Sequence, residues 1–124
     1  MKQLFLEDLS TLTEKEIKKH FIDEYEAKEE DVKKYNVLIA YESVGSWGCD
    51  SSSYFLLKEK STKKFFEVRG SHCSCYGFEG QFEAEEATIE YLKSDKFYMG
   101  CGGYDDNCEE NTNKVKDYIK KLRK

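Results

Sequence analysis

The chain has 124 residues, 39% of them apolar and 36% charged, with a formal net charge of −5 and a pI near 5.2. That length suits one compact domain over residues 1–124 and leaves too little chain for two cores. The acidic balance argues against direct nucleic-acid binding, which needs a basic face to displace counterions from phosphates.

In chain order, Leu4-Phe5-Leu6 is apolar but meets Glu7 and Asp8 at once. The run is too short for the core of a signal peptide, and no later run reaches bilayer length. The expectation is a cytoplasmic protein with no membrane partner, in which thiols stay reduced. These first residues read as a short helix or an extended lead-in. Thr13 followed by Glu16 makes a capping box, and Ile17, Phe21, Ile22 and Tyr25 then share one helical face. Residues 36–44 read as a central strand, because Val37-Leu38-Ile39-Ala40-Tyr41 is apolar on both alternating sides.

Tyr54-Phe55-Leu56-Leu57 predicts a second strand, and residues 64–69 a third, joined by the polar loop Glu59-Lys60-Ser61-Thr62-Lys63 as a hairpin. After an irregular segment, residues 84–93 read as a helix with Ala84, Ala87, Tyr91 and Leu92 on one side. Gly100-Cys101-Gly102-Gly103 reads as a connector. Val115, Tyr118, Ile119 and Leu122 then fit the helical template. The expected architecture is α+β: a short antiparallel sheet of about three strands, packed by two or three helices.

The residues that bear chemistry are His72, Cys73 and Cys75, with Cys49, Cys101 and Cys108 elsewhere in the chain. Five cysteines, an odd number, fit a closed disulfide framework poorly. Thiols and an imidazole this close are metal ligands, a redox pair or a catalytic site. Redox chemistry calls for C-x-x-C at a helix start, and Cys73-Ser74-Cys75 has neither the spacing nor the setting. A cysteine nucleophile needs a poised base, whereas adjacent residues of an extended chain point to opposite sides.

Zinc favours thiolate and imidazole donors. Cys49 stands before the second predicted strand, and His72, Cys73 and Cys75 follow the third. A hairpin brings these to one end of the sheet as a structural zinc site, although C-x-C is tighter than the usual knuckle. Cys101 or Cys108 can replace His72 in that set. The competing interpretation is of small half-buried thiols in turns, with the imidazole bonded to backbone.

Charge is distributed unevenly. Glu85, Glu86, Glu90, Asp105, Asp106, Glu109 and Glu110 form an acidic belt ahead of a tail rich in lysine. A solvated face accounts for much of it, and a contact surface for a basic partner is the functional alternative. Trp47 in a Gly/Ser loop, with Tyr76, Phe78 and Phe82, is the other candidate surface, although core packing is the commoner fate of such aromatics.

The stretch from Gly70 to Phe82, centred on His72-Cys73-Ser74-Cys75-Tyr76-Gly77-Phe78-Glu79-Gly80-Gln81, with Cys49-Asp50-Ser51-Ser52-Ser53 upstream, resembles a family of small proteins encoded by bacteriophages and prophages. The likeness covers roughly residues 41–93. Within that group the chain is similar to zinc-containing type II-A anti-CRISPR proteins that inhibit Cas9. The resemblance implies a non-catalytic protein that binds Cas9 stoichiometrically in the bacterial cytoplasm and blocks nucleic-acid loading or conformational activation. The acidic belt is then the contact candidate, since Cas9 presents basic surfaces to guide and target. Two other functions fit the residues: a small zinc-dependent enzyme acting on nucleotides or nucleic acid, with Cys49, Cys73 and Cys75 leaving an open metal position, and a metal-free accessory protein.

Overall fold

The computed structural model describes residues 3–7, 9–44, 51–72, 82–97 and 108–122. In chain order they form β1 (Leu4–Glu7), α1 (Glu14–Glu24), α2 (Glu29–Val32), β2 (Tyr35–Val44), β3 (Ser51–Glu59), β4 (Phe65–His72), β5 (Glu85–Glu86), α3 (Ile89–Leu92) and α4 (Cys108–Lys120). The strands make one sheet in the order β1-β2-β3-β4-β5. β1 runs parallel to β2, and the remaining neighbours are antiparallel.

The fold is therefore α+β, but the sheet is mixed and has five strands where about three antiparallel ones were expected. The three expected strands are β2, β3 and β4, joined in a meander. Leu4-Phe5-Leu6 adds the parallel edge strand, and the chain between β1 and β2 contains α1 and α2, as a parallel pairing requires. At the other edge, the helix expected over residues 84–93 does not form as such. Glu85 and Glu86 pair with Glu67 and Phe66 of β4, and a helix starts only after Thr88, whose Oγ1 accepts from Tyr91 N at 3.2 Å. Strand pairing outweighs the helix preference of Ala-Glu-Glu. It also sends Ala84 and Ala87 to opposite sides of the sheet.

Both faces of the sheet are covered. On one side Leu9, Ile17, Phe21, Tyr25 and Val32 pack on Val37, Ala40, Phe55, Leu57 and Val68. On the other, Leu92, Phe97, Val115, Ile119 and Leu122 pack on Ile39, Tyr41, Tyr54, Leu56 and Phe65. Double coverage explains why β2 is apolar on both alternations. The register shifts between Val37 and Ile39, so Leu38 is an extra residue and stands with Ile39 on the α3/α4 side.

The β3–β4 hairpin closes with Glu59 N donating to Lys64 O at 2.9 Å, and Lys63 takes a left-handed φ of 64° in the loop. The expected capping box is present: Thr13 Oγ1 accepts from Glu16 N at 3.2 Å, and Glu16 Oε1 from Thr13 N at 3.0 Å. Among the described residues no helix is long and apolar enough to cross a membrane.

Phe55 is fully buried and meets Phe21 edge-on, with ring centroids 4.5 Å apart. Phe55→Ala is expected to lower unfolding free energy by about 3–5 kcal/mol, and Thr13→Ala by about 1 kcal/mol. Urea denaturation of both variants checks the ranking; an equal or smaller loss for Phe55→Ala contradicts a core centred on that ring.

Candidate functional site

Polar chemistry concentrates toward the end of the sheet where β2 finishes, β3 begins and β4 finishes. The register there pairs Val44 with Ser51 and Ser51 with His72; two positions inward, Glu42 pairs with Ser53 and Ser53 with Gly70. Glu42 is 8% exposed in a strand that is otherwise apolar along most of its length, so its charge must be met by neighbours. α1 supplies one of them and Tyr25, which caps it, the other.

His20 Nε2 lies 2.8 Å from Glu42 Oε1, and the Tyr25 hydroxyl 3.0 Å from the same oxygen. Tyr25 is also 2.8 Å from Ser53 Oγ. A phenol has one proton, so Tyr25 donates to the carboxylate and Ser53 donates to Tyr25. Burial, reinforced by the Glu42 charge, pushes the Tyr25 phenol far above its ordinary range; the Ser53 donor acts the other way and is outweighed. The Glu42 hydrogen bond raises His20 above its ordinary value near 6.5, against a smaller lowering by burial, with further support from the charges of Glu42, Glu24 and Asp23.

A second network lies on the opposite face, one residue along the strands. Tyr41, Tyr54 and Arg69 occupy one cross-strand row. The Tyr54 hydroxyl donates to Glu67 Oε2 at 2.6 Å, and Arg69 Nη2 donates to the same oxygen at 3.1 Å. Arg69 also reaches the Tyr91 hydroxyl at 3.4 Å, and its guanidinium carbon sits 4.8 Å from the Tyr54 ring centroid. Burial, then the Glu67 charge, holds the Tyr54 phenol well above its usual range. Both tyrosines thus remain proton donors to carboxylates, and together these contacts bind α1 and α3 to the two faces of β2–β4.

Of the expected metal set, His72 is the last residue of β4, opposite Ser51. Cys49, Cys73 and Cys75 lie outside the described residues, as do Cys101, Trp47, Tyr76, Phe78, Asp105 and Asp106. Among the described residues no three His, Cys, Asp or Glu side chains converge on a common point suited to a metal ion. Cys108 opens α4. Phe82 packs against Phe21, with ring centroids 4.9 Å apart, and so serves the core.

The described residues of the expected acidic belt fall into two groups. Glu85 and Glu86 are exposed on β5, and Glu90 is exposed on the adjoining α3. Glu109 and Glu110 are exposed in the first turn of α4. That helix begins beside β1, where Asn111 Nδ2 donates to Glu7 Oε1 at 2.7 Å, and finishes beside α3, where Lys93 Nζ donates to Leu122 O at 2.8 Å. β1 and β5 are the two sheet edges, four strand spacings or about 19 Å apart.

No protein-family model, no curated protein and no solved structure matches this chain. His20, Glu42, Ser53 and the polar end of Tyr25 were not singled out by the sequence reading. A glutamate two residues after Ala40, on the alternation that carries Ala40 into the core, was the signal that could have found them.

His20 has a folded-state proton affinity above its unfolded one. Its contribution to stability is therefore fully present below pH 6.5 and lost as pH rises through the raised value. The thermal midpoint is expected to show a downward step above about pH 6.5 that His20→Gln removes. Scanning calorimetry across pH 5.5–8.5 on both proteins reads this directly; an identical step in the variant assigns it elsewhere.

Proposed function

We propose that the chain is a phage-encoded, non-catalytic inhibitory protein that binds Cas9 and blocks its nucleic-acid loading or conformational activation. The observation that carries a binding role is the placement of charge. Glu42 and Glu67 are buried and engaged within the fold, whereas Glu85, Glu86, Glu109 and Glu110 stand on the surface. Exposed carboxylates on a rigid scaffold complement a basic partner and steer its approach. The choice of Cas9, and of the bacterial cytoplasm as the setting, rests on the sequence resemblance over Gly70–Phe82 and on the basic channel that Cas9 offers to guide and target.

Zinc is part of the same proposal. Three thiolates and an imidazole from Cys49, His72, Cys73 and Cys75 are a donor set that suits a closed structural zinc site. The pairing of Ser51 with His72 supports it, since Cys49 is two residues from one and Cys73 is bonded to the other. When bound, the metal would supply a cross-link between two chain segments, contributing to folding and not to a reaction.

Two experiments test these statements. Titrating the chain into Cas9 loaded with guide RNA is expected to abolish DNA cleavage at a stoichiometric ratio, with a stable complex on gel filtration; full cleavage at excess chain, with no complex, overturns the assignment. Freshly purified reduced protein is expected to carry one zinc per chain, and Cys73→Ser or Cys75→Ser to lower the thermal midpoint by about ten degrees or more. Metal-free protein, with both variants as stable as the parent, removes zinc from the proposal.

A further inference from the structure

We propose that the outer edge of β5 and the groove beside it form a docking surface for an extended, basic polypeptide segment; the inference rests on the binding role proposed above and names the chemistry of the segment bound. β5 is the last strand of the sheet order. Its inner side is occupied by β4 through the pairs Phe66–Glu86 and Glu67–Glu85, continued by Ala87 N donating to Phe65 O at 2.8 Å. Among the described residues no strand lies beyond it. A terminal strand of a sheet can accept a further strand through main-chain hydrogen bonds, and side-chain pockets then add selectivity.

The pocket is present. A groove of about 310 Å³ lies between the β3–β4 hairpin and the β5–α3 corner, with Phe65, Ala87 and Ile89 as its apolar lining and Lys64, Glu86 and Glu90 among its polar residues. Phe65 and Ala87 are core residues and Ile89 is half-buried, so the floor is fixed. Lys64 Nζ and Glu86 Oε1 are 3.8 Å apart, with both side chains about half exposed, a pair weak enough for an incoming cation to exchange.

The charges select the occupant. A second copy of this chain joined edge to edge would set glutamates against glutamates, which is destabilising across strands. An acidic segment meets the same repulsion. A neutral one gains the groove but no opposite-charge pair with the exposed carboxylates of β5. A strand that alternates basic and apolar side chains sets its basic groups on the face of Glu86, opposite in charge to it, and its apolar groups on the other face, over Phe65, Ala87 and Ile89.

The test uses the intact chain and two capped peptides, one alternating lysine with valine and one alternating glutamate with valine. Backbone amide shifts and hydrogen exchange are expected to report the lysine peptide at Glu85–Ala87 and Ile89, with binding that weakens as salt rises. E85K/E86K is expected to weaken it about tenfold, and Glu86→Gln and E109K/E110K each by a smaller factor. Equal binding of the glutamate peptide, undiminished binding to E85K/E86K, or shifts confined to the start of α4 each overturn the proposal. Lysine-peptide binding at β5 by a chain that leaves Cas9 fully active upholds this inference while overturning the Cas9 assignment.

Discussion

The structure depends on burying β2 and β3 on both faces. A strand covered on both sides cannot turn an unpaired polar group to solvent, so every exception to the apolar pattern needs a partner fixed in place. The buried polar side chains are Glu42, Ser53, Glu67 and Asn111 among the described residues. Glu42 accepts hydrogen bonds from His20 and Tyr25, Ser53 bonds Tyr25, Glu67 accepts from Tyr54 and Arg69, and Asn111 donates to Glu7. Apolar packing alone would let the helices slide on the sheet with little change in buried area. These contacts define where they stop, because a shift of one turn would leave a carboxylate buried without its donors.

The aromatic residues work with this constraint. Phe21, Tyr25 and Phe55 meet edge to face, with centroid separations of 4.5, 5.5 and 5.8 Å, and Tyr54 meets Phe97 in the same manner at 5.7 Å. Tyrosine suits both tasks at once, since its ring fills the core while its hydroxyl reaches a carboxylate. The chain thereby obtains a specific core from a composition that is 36% charged.

Several of these elements were legible in the sequence. Thr13 and Glu16 marked the start of α1 because a capping box is a local interaction. The central position of β2 followed from its two apolar alternations, and the β3–β4 hairpin from a short polar loop between apolar runs. What was not legible depends on distant partners. Leu4-Phe5-Leu6 becomes a strand only because β2 offers an edge, and Glu85-Glu86 only because β4 does. The donors to Glu42 come from residues 17 and 22 positions away along the chain, a distance at which local patterning carries no information. His72 and its neighbouring cysteines were prominent because of their chemistry, and the register adds that His72 stands opposite Ser51.

The division of the acidic residues bears on how a basic partner would be held. An interface of standard size covers about 800 Å² on each partner, enough to span the roughly 19 Å from edge to edge of the sheet. Bridging the two groups along α4, however, would also bring Lys114, Lys116 and Lys120 toward the partner, all of them exposed on that helix. Lys114 is held 3.1 Å from Glu110, which further reduces the negative field at that end. Exposed charges mainly accelerate encounter, while apolar burial slows dissociation. The β5 edge has both ingredients, carboxylates beside a groove floored by Phe65, Ala87 and Ile89. The start of α4 has carboxylates partly neutralised by its own lysine, so its contribution is confined to steering.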